Sequence, residues 1–329
     1  MISQTCDMPP KAGAARTIRV AVCSRSFSKN QTLRAELLAR YRHVTFNDAG
    51  AQLQGDSLVA FLKGHEKAIT ALEVIDESIL SRLPELKVIG KYGVGLDMID
   101  LAAMRMHGTR LGWTGGVNRR SVSELVISLA IAMLRHVPAA NREVRAGVWR
   151  QHVGGNLTGR TVGIIGCGHI GKDLVPLLKA FECRILAHDI LEFPDFYARH
   201  GVESVGLDAL LRRSDIVTLH VPLNDSTRGL LNAERLALLK PDAVLINAAR
   251  GGLVDEQELK RMLLDKRLAA AAFDVFQEEP PQDQELLALP NFLATPHIGG
   301  SAHEAMLAMG RAAIEGLDVN DVPNHDHAP

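Results

Sequence analysis

What the sequence has little of narrows the choices first. Only four cysteines occur in 329 residues (Cys6, Cys23, Cys167 and Cys183), and no two stand close enough to suggest a disulfide framework or a zinc knuckle. No metal site is expected. Excess charge of one sign is absent as well. Lys and Arg number 37 against 38 Asp and Glu, a formal net charge of −1, which argues for neither a nucleic-acid nor a membrane partner. No stretch approaches the roughly 18 apolar residues of a membrane span. The opening MISQTCDMPPKAGAAR has polar residues and two prolines where a signal peptide needs an apolar core. A cytoplasmic location is therefore the expectation. No repeat of solenoid length interrupts the chain.

What is present is an ordinary globular composition, 47% hydrophobic and 23% charged, in a chain long enough for two domains. Residues 1–16 and 320–329 read as flexible polar extensions, and the tail histidines His325 and His327 as solvated. Between them, short β-branched runs alternate with helical patterns, which points to α/β architecture with parallel sheets. Early strand signals are TIRVAVCS, HVTF, KAIT and LKVIG; later ones are TVGIIG, CRILAHD, DIVTLHVP, AVLINAAR, LAAAAFDVF and FLATPHIG. The later six suit one doubly wound sheet. A long helical pattern over 121–149 separates the two sets, with Ser121 as expected N-cap and Glu124 at capping-box spacing. The pattern divides the chain into two domains, with the long helix near 118–150 as the bridge.

The strand TVGII runs into Gly166-Cys167-Gly168-His169-Ile170-Gly171 and then a helix pattern. Alone, this glycine spacing is weak; its setting between strand and helix gives it meaning. Gly166 permits the tight turn, Gly168 leaves room for a pyrophosphate at the helix N-terminus, and Gly171 lets helix pack on strand. Asp189 ends the next strand, 23 residues after Gly166. There a carboxylate accepts hydrogen bonds from ribose hydroxyls and repels a 2′-phosphate, which favours NAD over NADP; a plain strand-end cap is the alternative.

Three more polar residues follow strand signals: Arg250 after AVLINAA, Glu279 in DVFQEEPP, and His297 in TPHIGG. Singly, each has a bland reading: a solvated loop cation, a member of an acidic loop, a hydrogen-bonded core histidine. Together, at successive strand ends beside a dinucleotide loop, they are chemically complementary. Oxidising a secondary alcohol requires a base for the hydroxyl proton, and histidine suits. A carboxylate beside the ring orients it and favours its charged form. Arginine grips a planar carboxylate through two parallel hydrogen bonds and polarises a keto oxygen. The set points to hydride exchange at a 2-hydroxy acid.

With KYGVGLDMID, VGIIGCGHIG, HVPLNDSTRGLLN, INAARGGLVDE, FDVFQEEPP and TPHIGGSAHEA all in place, the sequence resembles the NAD-dependent D-isomer-specific 2-hydroxyacid dehydrogenase family, within it the D-3-phosphoglycerate dehydrogenases, over roughly residues 17 to 318. The resemblance implies two Rossmann-like domains, a flavodoxin-like substrate domain built from both chain ends (17–117 plus 300–319) and an NAD-binding one (118–299), with Arg250, Glu279 and His297 catalytic. It implies cofactor contacts from Gly166, Gly168, His169, Ile170, Gly171, Asp189, Val221, Pro222, Thr227, Ala248, Ala249, Arg250, Asp274, His297, Gly299 and Gly300, with Asp274 on the nicotinamide carboxamide. It implies substrate contacts from Lys91, Gly93, Val94, Gly95, Arg250 and His297, and a homodimer through the 121–149 arm. Family members that take phosphoglycerate carry arginines near the AIT segment and where Lys91 stands. Here Thr70, Glu73 and Lys91 occupy that region, and Arg119 and Arg120 are either a supplementary phosphate grip or solvated charge. Longer phosphoglycerate dehydrogenases continue beyond this chain's end into regulatory domains, so serine feedback through such a domain is not expected. Alternatives are a reductase for glyoxylate, hydroxypyruvate or another specialised 2-oxo acid, and, in a different class, a NAD-sensing protein like the corepressors of this fold. Formate or phosphite oxidation is a third; formate-specific relatives have glutamine where Glu279 stands, which counts against formate.

Overall fold

The computed structural model describes residues 16–323, so Cys6, His325, His327 and most of both expected extensions lie outside the described residues. Residues 320–323, expected as loose tail, are docked instead. Leu111 and Asp321 exchange backbone hydrogen bonds of 2.9 and 3.1 Å, and Arg110 Nε donates to Asn320 Oδ1 at 2.6 Å. The chain divides into two compact units, Met1–Val117 with Met306–Pro329, and Asn118–Ala305.

In the first unit five parallel strands lie in the order β2-β1-β3-β4-β5: β1 Arg16–Val22, β2 Tyr41–Phe46, β3 Lys67–Thr70, β4 Val88–Lys91 and β5 Arg110–Gly112. That is the flavodoxin-like order. β5 gave no sequence signal, because three residues are too few to show a period. Apolar side chains point to both faces, since a parallel sheet is covered on both sides. Ala21, Ala68, Ile89 and Leu111 face one core; Val20, Val22, Ile69 and Val88 face another with Phe27, Leu33, Leu37 and Tyr41. The helix His303–Gly316 returns the chain to this unit, placing Ala313 and Leu317 in the second core. One buried polar knot fastens it. Lys67 Nζ donates to Tyr41 Oη at 3.1 Å, to Asp318 Oδ1 at 3.2 Å and to the Leu317 carbonyl, while Tyr41 Oη donates to Asp318 Oδ1.

The second unit holds a seven-stranded parallel sheet in the order β12-β11-β10-β9-β6-β7-β8. Its strands are β6 Thr161–Ile165, β7 Arg184–His188, β8 Val202–Ser204, β9 Ile216–Leu219, β10 Val244–Asn247, β11 Ala270–Phe273 and β12 Phe292–Ala294. Six of these match the strand signals; β8 was too short to be read. The order reverses between β6 and β9, and such a switch point opens a ligand crevice at the strands' carboxyl ends.

The single helix expected over 121–149 is two, Arg119–Leu134 and Val137–Arg145, bent by 64°. His136 sits in the left-handed region with φ of 54°, and Pro138 follows in the first turn of the new helix. Proline has no N–H to donate and its ring clashes with the carbonyl four residues back, here that of Leu134, so a continuous helix cannot run through this point. Nor is Ser121 the N-cap. Asn118 holds that position without a side-chain cap bond, and Ser121 Oγ donates to the Gly299 carbonyl at 2.6 Å. Among the described residues no single helix is long and apolar enough to cross a membrane.

Lys67 is 8% exposed, and removing one member of a buried charge network leaves the other charge stranded, at a cost of about 3 kcal/mol. Lys67→Ala should lower the chemical-denaturation stability of the first unit by about that amount, and Lys67→Met, paired with Asp318→Leu, should recover part of it.

Candidate active site

Three neighbouring strands, β10, β11 and β12, deliver the candidate residues at their carboxyl ends. β10 ends at Asn247, which is 1% exposed. Its Nδ2 donates to the Arg250 carbonyl at 2.8 Å and its Oδ1 accepts from the Ala249 amide at 3.2 Å. One buried amide side chain thus closes the turn that presents Arg250. Gly251 lies so close beneath that turn that a Cβ there would meet the Phe276 carbonyl oxygen at 1.8 Å. Arg250 is half-buried and Nη1 donates to the Ala249 carbonyl at 2.7 Å. Ala248 and Ala249 are both buried.

β11 runs into Asp274, which is 1% exposed. Its carboxylate accepts from Thr295 Oγ1 at 2.6 Å, from the Ile298 amide at 2.8 Å and from the Gly299 amide at 2.7 Å. Its carbonyl accepts from the His297 amide at 2.9 Å. All four bonds converge on the segment after β12. They hold His297 at φ of 54°, a left-handed conformation that costs a non-glycine residue about 1 kcal/mol or more. The His297 ring then reaches Glu279: Nδ1 to Oε2 is 2.9 Å, while Glu279 Oε1 accepts from the Phe276 amide at 3.1 Å. The histidine and glutamate side chains are 51% and 40% exposed, so the pair faces outward from the unit. With Nδ1 taken, Nε2 is the nitrogen left to exchange a proton. Glu256 donates nothing here, but its Oε1 accepts from the Gln277 amide at 2.8 Å; burial, with the nearby charges of Asp283 and Glu279, pushes its carboxyl up.

The dinucleotide loop lies across the switch point. Gly166 takes φ of 93°, and a Cβ there would approach the His220 carbonyl oxygen, just beyond β9, to 2.6 Å. The helix His169–Ala180 starts immediately after Gly168 with no side chain capping its amides, and around Gly168 there is open space. Unsatisfied amides at an open helix start fit a pyrophosphate. Asp189 serves the loop as well as facing outward. Its Oδ2 accepts from the Cys167 amide at 2.6 Å and Oδ1 from the Leu191 amide at 2.9 Å. His169 is exposed, Ile170 half-buried and Gly171 buried against the Gly166 carbonyl. After β9, Val221 and Pro222 are half-buried, and Thr227 braces their loop by donating from Oγ1 to the Pro222 carbonyl at 2.7 Å. Gly299 is buried and Gly300 half-buried. The residues present therefore fit a dinucleotide.

The remaining candidates belong to the first unit. Lys91 closes β4, is 5% exposed, and donates from Nζ to the Ala71 carbonyl. Gly93, Val94 and Gly95 form the half-buried loop that follows, and the Val94 carbonyl accepts from Trp113 Nε1 at 2.9 Å. Glu73 is buried in the neighbouring loop and accepts from the Ala71 amide at 2.7 Å. In the second unit, Arg119 and Arg120 are exposed surface cations paired with one acid: Arg120 makes a bidentate pair with Asp173 at 2.8 and 3.0 Å, and Arg119 Nε lies 3.8 Å from the same carboxylate.

Sequence reading missed Asn247 and Ser121, whose work is to position backbone, and such work has no motif. It also missed His220. Nε2 bonds Thr218 Oγ1 at 2.9 Å, Nδ1 is buried without a partner, and burial pushes the ring's pKa down to about 3. The HVP segment suggested a strand end and cofactor contacts at Val221 and Pro222, but no role for His220.

The D-isomer specific 2-hydroxyacid dehydrogenase NAD-binding domain model matches residues 127–299. A D-3-phosphoglycerate dehydrogenase of Methanocaldococcus jannaschii is 39% identical over 244 residues, 73% of this chain and 47% of that protein. A hydroxypyruvate reductase of Thermotoga maritima is 37% identical over 246 residues, 73% of this chain and 79% of its own length. Among solved structures, a D-isomer specific 2-hydroxyacid dehydrogenase from Polaromonas superposes with a TM-score of 0.85 at 31% identity, covering 92% of this chain and 96% of the other. The chain spans about half the length of the phosphoglycerate dehydrogenases that it matches.

His220 stays neutral in the fold but takes up a proton when unfolded below its ordinary pKa, ~6.5. Stability should therefore be full above that pH and decline as pH falls from ~6.5 toward 3. Thermal denaturation across this window should show a shallower decline in His220→Gln than in the parent chain.

Proposed function

The chain belongs to the D-isomer-specific 2-hydroxyacid dehydrogenase family, and on that footing we propose that it interconverts a D-2-hydroxy acid and its 2-oxo acid with NAD. The observation that carries this reading is the 2.9 Å bond between Glu279 and His297 Nδ1, set at strand ends next to the strand that delivers Arg250. When bound, the nicotinamide supplies the carbon that accepts or returns the hydride. Everything else is the work of the chain's own residues. The loop from Gly166 through Gly168, His169 and Ile170 to Gly171 holds the pyrophosphate. Asp189 receives the ribose hydroxyls and its charge repels a 2′-phosphate, and Val221, Pro222, Thr227, Ala248, Ala249, Gly299 and Gly300 flank the cofactor. Asp274 has three of its roughly four acceptor positions filled by protein donors, which leaves one for the nicotinamide carboxamide. Arg250 grips the substrate carboxylate; in the first unit, Lys91 and the Gly93-Val94-Gly95 amides are proposed as substrate contacts. His297 Nε2 removes the hydroxyl proton in oxidation and returns it in reduction, while Glu279 fixes the ring and stabilises its charged form.

One observation favours a narrower reading. Lys91, at the end of β4, donates to the Ala71 carbonyl, and the buried Glu73 carboxylate accepts from the Ala71 amide on the same peptide segment. A carboxylate there repels a phosphate. An unphosphorylated 2-oxo acid such as glyoxylate or hydroxypyruvate therefore fits better than phosphohydroxypyruvate. A cytoplasmic homodimer completes the proposal. Val137, Val144, Val148, Trp149 and Val153 are 44 to 94% exposed along the second arm helix and its sequel, a run of apolar surface suited to a second copy.

An NADH-oxidation screen with glyoxylate, hydroxypyruvate, pyruvate, 2-oxoglutarate and phosphohydroxypyruvate tests the proposal. With the best of them, His297→Ala should lower kcat by about 10³-fold while NADH fluorescence titrations stay unchanged. Near-normal turnover in that variant overturns the mechanism. Asp189→Ala should erode the preference for NAD over NADP by about tenfold, read as the ratio of kcat/KM values.

A further inference from the structure

We infer that the second unit carries an anion-binding site at the amino ends of its strands, on the side of the sheet opposite the candidate active site, and that it takes a small polyvalent oxyanion of the phosphate or pyrophosphate class. A surface cavity of about 570 Å³ opens there. Its wall includes Lys179, Arg184, Arg212, Arg213, Lys240 and a single acid, Glu203.

The charge balance is uneven. Arg213 is neutralised by Glu203 through two bonds of 2.7 Å, and Lys240 by Asp215 at 2.8 Å. Among the described residues Lys179 has only the Gly201 carbonyl, at 3.1 Å. Among the described residues Arg184 and Arg212 have no acidic partner. Three cations therefore share one concavity with no acid left to offset them, an arrangement that repels itself until an anion enters. Helix ends explain part of this: Lys179 and Arg212 lie in the last turns of His169–Ala180 and Leu207–Arg213, where cations offset the carbonyl end of the helix dipole. Arg184 has no such account, since it opens strand β7. Two guanidiniums suit the paired oxygens of a phosphoryl group.

The site is separate from the cofactor's. Arg184 opens β7, and Asp189 follows that strand's last residue. At about 3.3 Å per residue the two ends stand roughly 16 Å apart. An oxyanion here cannot compete with a pyrophosphate at Gly168. The concavity also favours a compact ligand over a nucleic-acid backbone, which needs a basic stripe, and the chain as a whole carries a formal charge of −1.

The test is isothermal titration of the full chain with sodium pyrophosphate, without NADH and then with NADH at saturation, ionic strength held constant with sodium chloride. The expected result is one saturable site that persists with NADH present. Arg184→Gln with Arg212→Gln should weaken it at least tenfold, with circular dichroism and NADH binding unchanged. Both side chains are exposed, so folding should survive; Arg212→Glu provides a second variant with the same expected loss. The inference fails if the parent chain shows no binding, or if the variants bind as the parent does. It fails equally if NADH abolishes binding, which would place the anion in the cofactor loop, or if a single-stranded 12-mer binds more tightly than pyrophosphate through the same residues.

Discussion

One buried carboxylate organises the carboxyl edge of the second unit's sheet. Asp274 collects a hydroxyl and two amides from the segment after β12, and its carbonyl takes the His297 amide. Burial of a charged group is costly unless it is hydrogen-bonded, and here the protein's own donors meet that need. Their convergence bends a segment of six residues tightly enough to force His297 into a left-handed backbone, and this aims its ring at Glu279. Without the clamp, histidine and glutamate would sit on two independent loops, with no reason to meet at 2.9 Å.

The same logic governs Asp189. Its carboxylate is both the expected ribose acceptor and the partner of the Cys167 amide within the glycine loop. One side chain thus shapes the loop and carries the expected cofactor preference. Asn247 plays the corresponding part for Arg250. In each case a short polar side chain at a strand end fixes the backbone that carries the chemistry.

Strand alternation and the glycine spacing made the parallel α/β architecture legible, because a covered parallel strand must be apolar along its whole length. The placing of Arg250, Glu279 and His297 beyond strand ends was legible for the same reason. β5 and β8 were not, since a three-residue strand carries no pattern. The helix break at His136 was missed although Pro138 was in plain view, because the apolar spacing on either side continues as if no break existed. Asn247, Ser121 and His220 were invisible for another reason: their roles depend on which backbone groups lie opposite, and that follows from tertiary structure alone.

The contact between Gly166 and the His220 carbonyl carries a wider consequence. A methyl group at 166 is forbidden by the meeting of two chain segments where the sheet changes direction, whether or not a nucleotide is ever bound. The first glycine of the fingerprint therefore reports sheet topology, and only the open second one reports occupancy. A relative of this chain that bound no nucleotide would keep Gly166 under the pressure of its own architecture, and would be free to lose Gly168.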